Sequence, residues 1–292
     1  MIVFLVFLSL FSFTSAAPLP VVLWHGMGDS CCDPNSMGWI EDTIKKEIPG
    51  VYIYSVALSN DDFADREKTF FANMNDEIDK VCANISSNAH LAGGYNAIGF
   101  SQGGQFLRAI AQRCPAPRMH NLITLGAQHQ GVYGLPHCIE DNDICDTIRY
   151  LLDLGAYIDF IQSTVVQAQY YHDSDDEDMY KDKSIFIADI NNEKVINETY
   201  RENLAKLDNF VLLKFTEDSM VVPRDSSWFG FYKEKDIETV LQYNQTKLYT
   251  EDRIGLKQLD ESGRLHFLTM KGDHLKIDIG IFVKDIIDIY LK

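Results

Sequence analysis

Positive charge is scarce in this chain. Lys and Arg number 26 against 43 Asp and Glu, a formal net charge of −17. A protein this acidic is not built to neutralise phosphates, which excludes nucleic acid as its main partner. The basic residues are scattered and form no run that would make a patch for a membrane surface. Long apolar stretches are missing as well. Beyond the first segment none reaches about eighteen residues, so no stable membrane span is expected and the mature protein reads as soluble. No CxxC pair occurs, and no pair of histidines lies beside the cysteines. A zinc site is therefore not expected, and no other metal is. Internal repeats and low-complexity tracts are absent. What is left is an ordinary globular mix, 46% hydrophobic and 24% charged, which excludes disordered, collagenous and coiled-coil proteins. Its 292 residues fill one large or two modest domains.

Residues 2–13 (IVFLVFLSLFSF) form an apolar run that ends in Thr14-Ser15-Ala16-Ala17 before Pro18. A run that short, closing on small residues, predicts a secretory signal peptide over 1–17, cleaved near Ala17. It is too short to cross a bilayer. It lacks the usual Lys or Arg ahead of the apolar run, and it carries no charged residue, so the whole net charge belongs to the mature chain. Secretion sets the reading of the six cysteines, Cys31, Cys32, Cys82, Cys114, Cys138 and Cys145. An even number in an oxidising compartment predicts three disulfides. Cys138 and Cys145 are close enough in sequence to staple one loop. The adjacent Cys31 and Cys32 either pair with each other or each find another partner. Asn84, Asn197 and Asn244 stand in N-x-S/T sequons, which a secreted chain offers for glycosylation.

Strand and helix signals alternate along the chain. LPVVLW (19–24) and VYIYSVAL (51–58) are β-rich, and residues 66–82 carry Phe70, Phe71, Met74, Ile78, Val81 and Cys82 spaced as one helix face. YNAIGF (95–100) follows Gly93-Gly94 as a short buried strand, QGGQFLRAIAQR (102–113) reads as a helix stopped by Pro115 and Pro117, and NLITLG (121–126) is the next strand. This alternation predicts an α/β fold, a mostly parallel sheet with helices on both faces. The pattern lapses over 128–208, where a long helical run (144–169) precedes the acidic stretch 173–178. That stretch lacks the Gly and closing Glu of a calcium loop and is expected to be a solvated loop. Strand signals resume at FVLLKF (210–215) and LHFLTM (265–270), and an amphipathic helix closes the chain. The expected division is a first core part over 18–127, an inserted helical subdomain over 128–208 and a second core part over 209–292.

Gly99-Phe100-Ser101-Gln102-Gly103 matches G-x-S-x-G, with a strand before it and a helix after it. That context is the nucleophile elbow of α/β-hydrolases, where glycines are needed because side chains would collide with the neighbouring strand and helix. A serine hydroxyl is a weak nucleophile and needs a base. In this fold the acid and then the histidine follow the serine, each on a loop after a later strand. Of the eight histidines only His266 and His274 lie late enough. His266 falls inside a strand and His274 in the turn after it, so His274 is the expected base. Asp218, just after strand 210–215, is the expected acid that holds the imidazole, ahead of Glu217 and Asp225. His129, after strand 121–126, is expected to be a pocket or structural residue. The oxyanion hole is expected from the backbone amides of Gln102, after the nucleophile, and Met27, in His25-Gly26-Met27-Gly28 after the first strand.

At these residues the chain resembles the lysosomal palmitoyl-protein thioesterases, enzymes that remove fatty acyl groups from cysteine. The resemblance lies in Trp24-His25-Gly26-Met27-Gly28-Asp29-Ser30-Cys31-Cys32, Gly99-Phe100-Ser101-Gln102-Gly103-Gly104, Gln128-His129-Gln130-Gly131-Val132-Tyr133-Gly134-Leu135-Pro136, Asp218-Ser219-Met220-Val221-Val222-Pro223 and Gly272-Asp273-His274-Leu275. Val222, Arg224-Asp225 and the acidity of 173–182 depart from the family pattern. The resemblance implies Ser101, Asp218 and His274 as the triad, Met27 and Gln102 as oxyanion donors, and bridges Cys31–Cys32, Cys82–Cys114 and Cys138–Cys145. It implies that the insertion forms a groove for the acyl chain. It further implies hydrolysis of thioester-linked acyl groups such as palmitate through an acyl-enzyme on Ser101, without a cofactor. The expected partners are S-acylated proteins or peptides, long-chain fatty acyl groups and a receptor that sorts by glycans. The expected location is the lysosomal lumen, reached through the secretory pathway, with some release outside the cell. A secreted lipase or carboxylesterase of the same fold, and a non-catalytic lipid carrier, are the competing readings.

Overall fold

The computed structural model describes residues 17–134 and 143–292, with the side chains of Asp143 and Cys145 outside that description. All but the last residue of the expected signal peptide, and the expected Cys138–Cys145 bridge, therefore lie outside the described residues. The described chain begins with β1 (Val21–Trp24), β2 (Ile53–Ser55), β3 (Tyr95–Phe100), β4 (Met119–Leu125) and β5 (Asn209–Phe215). A separate antiparallel hairpin, β6 (Phe231–Lys233) with β7 (Asp236–Leu241), precedes β8 (Leu265–Met270). The other six strands form one sheet in the order β2-β1-β3-β4-β5-β8, every neighbouring pair parallel.

Alternation along each strand sorts its side chains onto two faces. Val22, Trp24, Tyr95, Ala97, Leu122, Phe210 and Leu212 enter one buried core. Val21, Leu23, Ile98, Phe100, Ile123, Leu125, Val211, Leu213 and Phe215 enter the other. Both faces are dry, so the strands read as unbroken apolar runs rather than as alternating ones. Of the helices α1 (Met37–Glu47), α2 (Asp62–Lys68), α3 (Met74–Ser87) and α4 (Gln102–Arg113), the last two cover the first face with Met74, Ile78, Val81, Phe106, Leu107 and Ile110. The second face is covered by Met37, Ile40 and Ile44 of α1, and by Phe282, Ile286 and Ile287 of a terminal π-helix over Phe282–Leu291. Cys82 of α3 is bonded to Cys114 at the end of α4, and Cys31 to its neighbour Cys32.

Three expectations need correction. The face over 66–82 is two helices, not one. Asn73 caps α3 with its side chain, and the chain before it turns so that Phe71 bridges to Val165 and Phe70 C=O accepts from Val166. The run 144–169 breaks into α5 (Asp143–Gly155), α6 (Asp159–Thr164) and α7 (Val166–Gln169). Gly155, at φ +141°, supplies the first break. The acidic stretch is not wholly solvated. Asp176 caps α8 (Glu177–Lys183), Ser174 is buried, and Glu177 pairs with His172 at 2.8 Å. The hairpin β6–β7 has no counterpart in the sequence reading. Two short helices, α9 (Ile187–Ile190) and α10 (Glu198–Leu204), complete the segment between β4 and β5.

His172 ties that segment to the hairpin. Its ring is stacked between Tyr180, at 3.7 Å, and Phe231, at 4.0 Å. Burial raises the Glu177 carboxyl, but hydrogen bonding and charge from His172, reinforced by Lys181, outweigh it and bring the pKa down to about 2. A depressed carboxyl contributes its full stability above the ordinary glutamate value and loses it as the pH falls toward the folded value. Glu177→Gln is expected to cost about 2 kcal/mol at neutral pH, a gap that narrows below about pH 4 and closes as the pH falls to about 2. Urea unfolding of both proteins at the two pH values checks this, and an equal gap at both would remove the charge from the account.

Candidate active site

The strand order reverses between β2-β1 and β1-β3, and a crevice forms at the carboxyl ends of the strands at such a switch point. Here Trp24 of β1 lies in register with Gly99 of β3, so the residues just beyond, His25-Gly26-Met27-Gly28 and Ser101, come together. Ser101 has φ +52° and ψ −126°, a backbone conformation that side chains other than glycine's rarely adopt. The strain is imposed by close packing. A β-carbon on Gly103 would stand 2.3 Å from Trp24 O and 2.5 Å from His25 O, and one on Gly99 would stand 2.4 Å from Gly104 Cα. The turn is therefore held tight, and the serine side chain is pushed out of the strand-to-helix corner. Ser101 is buried, and its amide donates to Leu125 O at 2.8 Å.

The structure brings the distant residues to this serine. His274 Nε2 is 2.9 Å from Ser101 Oγ, and His274 Nδ1 is 2.8 Å from Asp218 Oδ2. The other oxygen of Asp218 accepts from the amides of Met220 and Val221, each at 2.9 Å, which fixes the plane of the carboxylate. Asp218 is 3% exposed, so its charge faces the ring across little water. The turn carrying His274 is held by Asp273, which accepts from the His274 amide at 2.7 Å and from the Ser219 amide at 2.9 Å. Those two amides hold the Asp273 carboxyl below the usual carboxylate range.

The rival residues are used elsewhere. His266 sits in β8, with Nε2 2.8 Å from Asn209 Oδ1, and burial lowers its pKa. Glu217 is exposed, and Asp225 pairs with Lys214 at 2.8 Å. His129 is fully buried, its ring stacked on Phe229 and 3.0 Å from Thr124 Oγ1. Burial, helped by the charge of Arg108, keeps it well below the usual histidine range.

Several residues around the site escaped the sequence reading. Asp65 is buried beneath the His25–Gly28 loop, accepting from the Cys31 and Leu58 amides at 2.9 and 2.7 Å and facing His25 Nε2 at 3.4 Å. Burial pushes its carboxyl up, yet His25 and those amides outweigh it and hold the pKa below the usual value. Thr69 Oγ1 accepts from Gly28 N at 2.8 Å, while its carbonyl accepts from Gln102 Nε2 at 3.2 Å. One residue thus braces both segments that carry Met27 and Gln102. Gln128 places its side-chain Nε2 3.0 Å from Ser101 Oγ. None of these carries a local pattern, because each acts on a partner distant in sequence.

A serine hydroxyl, an imidazole, a carboxylate and a glycine-relieved loop in one crevice are groups from which a serine hydrolase can be built. A family profile described as palmitoyl protein thioesterase matches residues 20–274, from just before β1 to His274 itself. The chain belongs to that family. It is 56% identical over 272 residues to palmitoyl-protein thioesterase 1 of Caenorhabditis elegans, covering 93% of this chain and 91% of that one. It is 36% identical to palmitoyl-protein thioesterase 3 of Dictyostelium discoideum, over 89% of this chain and 86% of that one. Among solved structures, the mature form of Bacillus licheniformis lipase BlEst2 shares 15% identity over 94% of this chain and 92% of that one, at a TM-score of 0.49. That level of likeness adds nothing to the reading of the site.

The packing at the elbow generates a test. A methyl on Gly103 meets backbone on two sides, so β1 or the loop after it must shift away from Ser101. Gly103→Ala is expected to slow fluorophosphonate labelling of the purified protein by about a hundredfold. Labelling at the parent rate would show that the close approach is not needed.

Proposed function

We propose that this protein hydrolyses the thioester linking a fatty acyl group such as palmitate to cysteine in proteins or peptides. The observation that carries the proposal is the single imidazole bridging Ser101 Oγ and Asp218 Oδ2 at 2.9 and 2.8 Å in a chain of this family. Its Nδ1–H donates to Asp218, which leaves Nε2 free to take the Ser101 proton. Oγ attacks the thioester carbonyl, and the amides of Met27 and Gln102 receive the developing oxyanion. His274 passes its proton to the leaving sulfur, and the cysteine peptide departs. Water then gives its proton to His274 and attacks the acyl carbonyl, the C–Oγ bond breaks, His274 returns the proton to Oγ, and the fatty acid leaves.

The segment between β4 and β5 supplies apolar surface suited to the acyl chain. It holds a cavity of about 640 Å³, whose lining combines Leu152, Ala156, Ile158 and Met179 with the charged Asp153, Asp173 and Lys183. Tyr150, Leu154, Ile158 and Phe160 are exposed nearby in sequence, on a segment that otherwise packs its own core. No described helix is long and apolar enough to cross a membrane. Asn84, Asn197 and Asn244 are all exposed, which supports glycan attachment at the three sequons. Together with the expected signal peptide, this supports a location in the lysosomal lumen, reached through a receptor that reads its glycans, with some release outside the cell.

Two measurements test the proposal together. Ser101→Ala is expected to fold and to lose essentially all hydrolysis of a palmitoyl-peptide thioester. With acyl chains of graded length, kcat/KM should rise by about fourfold per methylene until the apolar site is filled, from about 0.8 kcal/mol per buried CH₂. Persistent turnover in the serine variant would overturn the proposed nucleophile. A flat chain-length profile, or preference for the matched oxygen ester, would overturn the proposed substrate class.

A further inference from the structure

The nucleophile has a second hydrogen-bond partner that the proton relay does not use. Gln128 lies beyond the end of β4, where Gly126 turns the chain at φ +62°, and it is 5% exposed. Its Nε2 is 3.0 Å from Ser101 Oγ. The other end of the amide, Oε1, accepts from Gln105 Nε2 at 3.5 Å, and Gln105 is fully buried on α4. Its backbone is held as well: Gln128 O accepts from Gly131 N at 3.1 Å. The amide is thus fixed with its oxygen toward Gln105 and its N–H toward the serine oxygen.

We propose that Gln128 is a catalytic residue whose N–H supports Oγ as a leaving group, and so speeds release of the acyl group more than its capture. The proposal rests on the acyl-enzyme reading given above. In the acyl-enzyme Oγ is an ester oxygen, whose delocalised lone pairs make it a poor acceptor. Water adds to the acyl carbonyl and gives its proton to His274. The C–Oγ bond then breaks, its electron pair returns to Oγ, His274 delivers the proton there, and the fatty acid leaves. Negative charge grows on Oγ as that bond breaks, so a donor aimed at it binds the transition state more strongly than the ground state. Capture of the acyl group runs the other way at Oγ, which gives up electron density to the carbonyl. Its leaving group is a thiol with a pKa near about 8.5, which departs with little help. A donor on the serine oxygen therefore assists the half-reaction in which the poorer leaving group must depart.

Gln128→Met keeps an unbranched side chain of similar reach and removes the N–H. Gln128→Glu keeps the shape and replaces the donor with a carboxylate oxygen. Each variant is mixed with a palmitoyl-peptide thioester, thiol release is followed in the first turnover, and the acyl adduct on Ser101 is followed by mass spectrometry. The expected result is an initial burst close to one thiol per enzyme, acylation within about threefold of the parent, and adduct decay slowed by at least about tenfold. Fluorophosphonate labelling at a rate close to the parent's is expected to accompany it, as for a folded site. Equal slowing of acylation and decay would make Gln128 structural and overturn the proposal, as would decay at the parent rate in both variants. A parent protein that turns over without any adduct on Ser101 would overturn the acyl-enzyme reading itself, a failure distinct from the other two.

Discussion

The carbonyl oxygens of Trp24 and His25 stand where a side chain on Gly103 would have to go. β1 and the first turn of α4 therefore touch backbone to backbone, and much else follows from that contact. It places the loop after β1 against Ser101, with Gly26 so close that a β-carbon there would lie 3.2 Å from Ser101 Cβ. It leaves the serine no relaxed way from strand to helix, hence φ +52°. Strain of this kind costs on the order of 1–3 kcal/mol and persists only where the surroundings over-determine it. Here the surroundings are two buried cores, one on each face of a parallel sheet, and that burial fixes the strand ends between which the turn is held.

Polar groups fix what the cores cannot. The loop after β1 has few apolar anchors, and its shape depends on Asp65 and Thr69, two residues from the α2 region. A buried carboxylate is costly unless it is hydrogen-bonded and faces a partner. Asp65 meets this condition with two backbone amides and His25. Thr69 then links that loop to the Gln102 side chain, whose oxygen accepts from Tyr170 at 3.1 Å. The segments that carry Met27 and Gln102 thus hang from a common support.

The sequence carried some of this openly and hid the rest. β3 and β8 could be placed to the residue: YNAIGF is buried on both faces, while LHFLTM, a half-buried edge strand, is an apolar-rich run bounded by turn residues. Ser101 was legible through the glycines that its packing demands, and Asp218 and His274 through the order in which this fold supplies its loops. Gln128, Asp65 and Thr69 were not. Their partners lie 27, 34 and 41 residues away, and a polar side chain satisfied at long range leaves no periodic trace. The helix break before Asn73 was hidden for a related reason: Phe70 and Phe71 fit the apolar spacing of a helix, but they pack against the segment carrying Val165, which no local rule foresees. The hairpin β6–β7 was missed because half of it is exposed and so lacks a continuous apolar run.

The segment between β4 and β5 is joined to α4, the helix that follows Ser101, by a buried cation. Arg108, on α4, is fully buried and donates to Ile190 O at 3.1 Å and to His129 O at 3.0 Å, with its guanidinium over the ring of Phe229. Burial, opposed by Tyr180 and reinforced by the charge of Arg113, brings its pKa down to about 9, so it is still charged at neutral and acidic pH. Gln112, one turn further along α4, donates to the same Ile190 carbonyl at 2.7 Å. Two carbonyl groups and an aromatic face are modest compensation for a desolvated charge, and breaking them would leave it with less. Local sliding of this segment against α4 is therefore opposed by more than apolar contact. The helix that begins at Ser101 and the segment proposed to hold the acyl chain are in this way registered to each other, which is what a site needs if binding energy gained along a long chain is to be spent on the position of one carbonyl carbon.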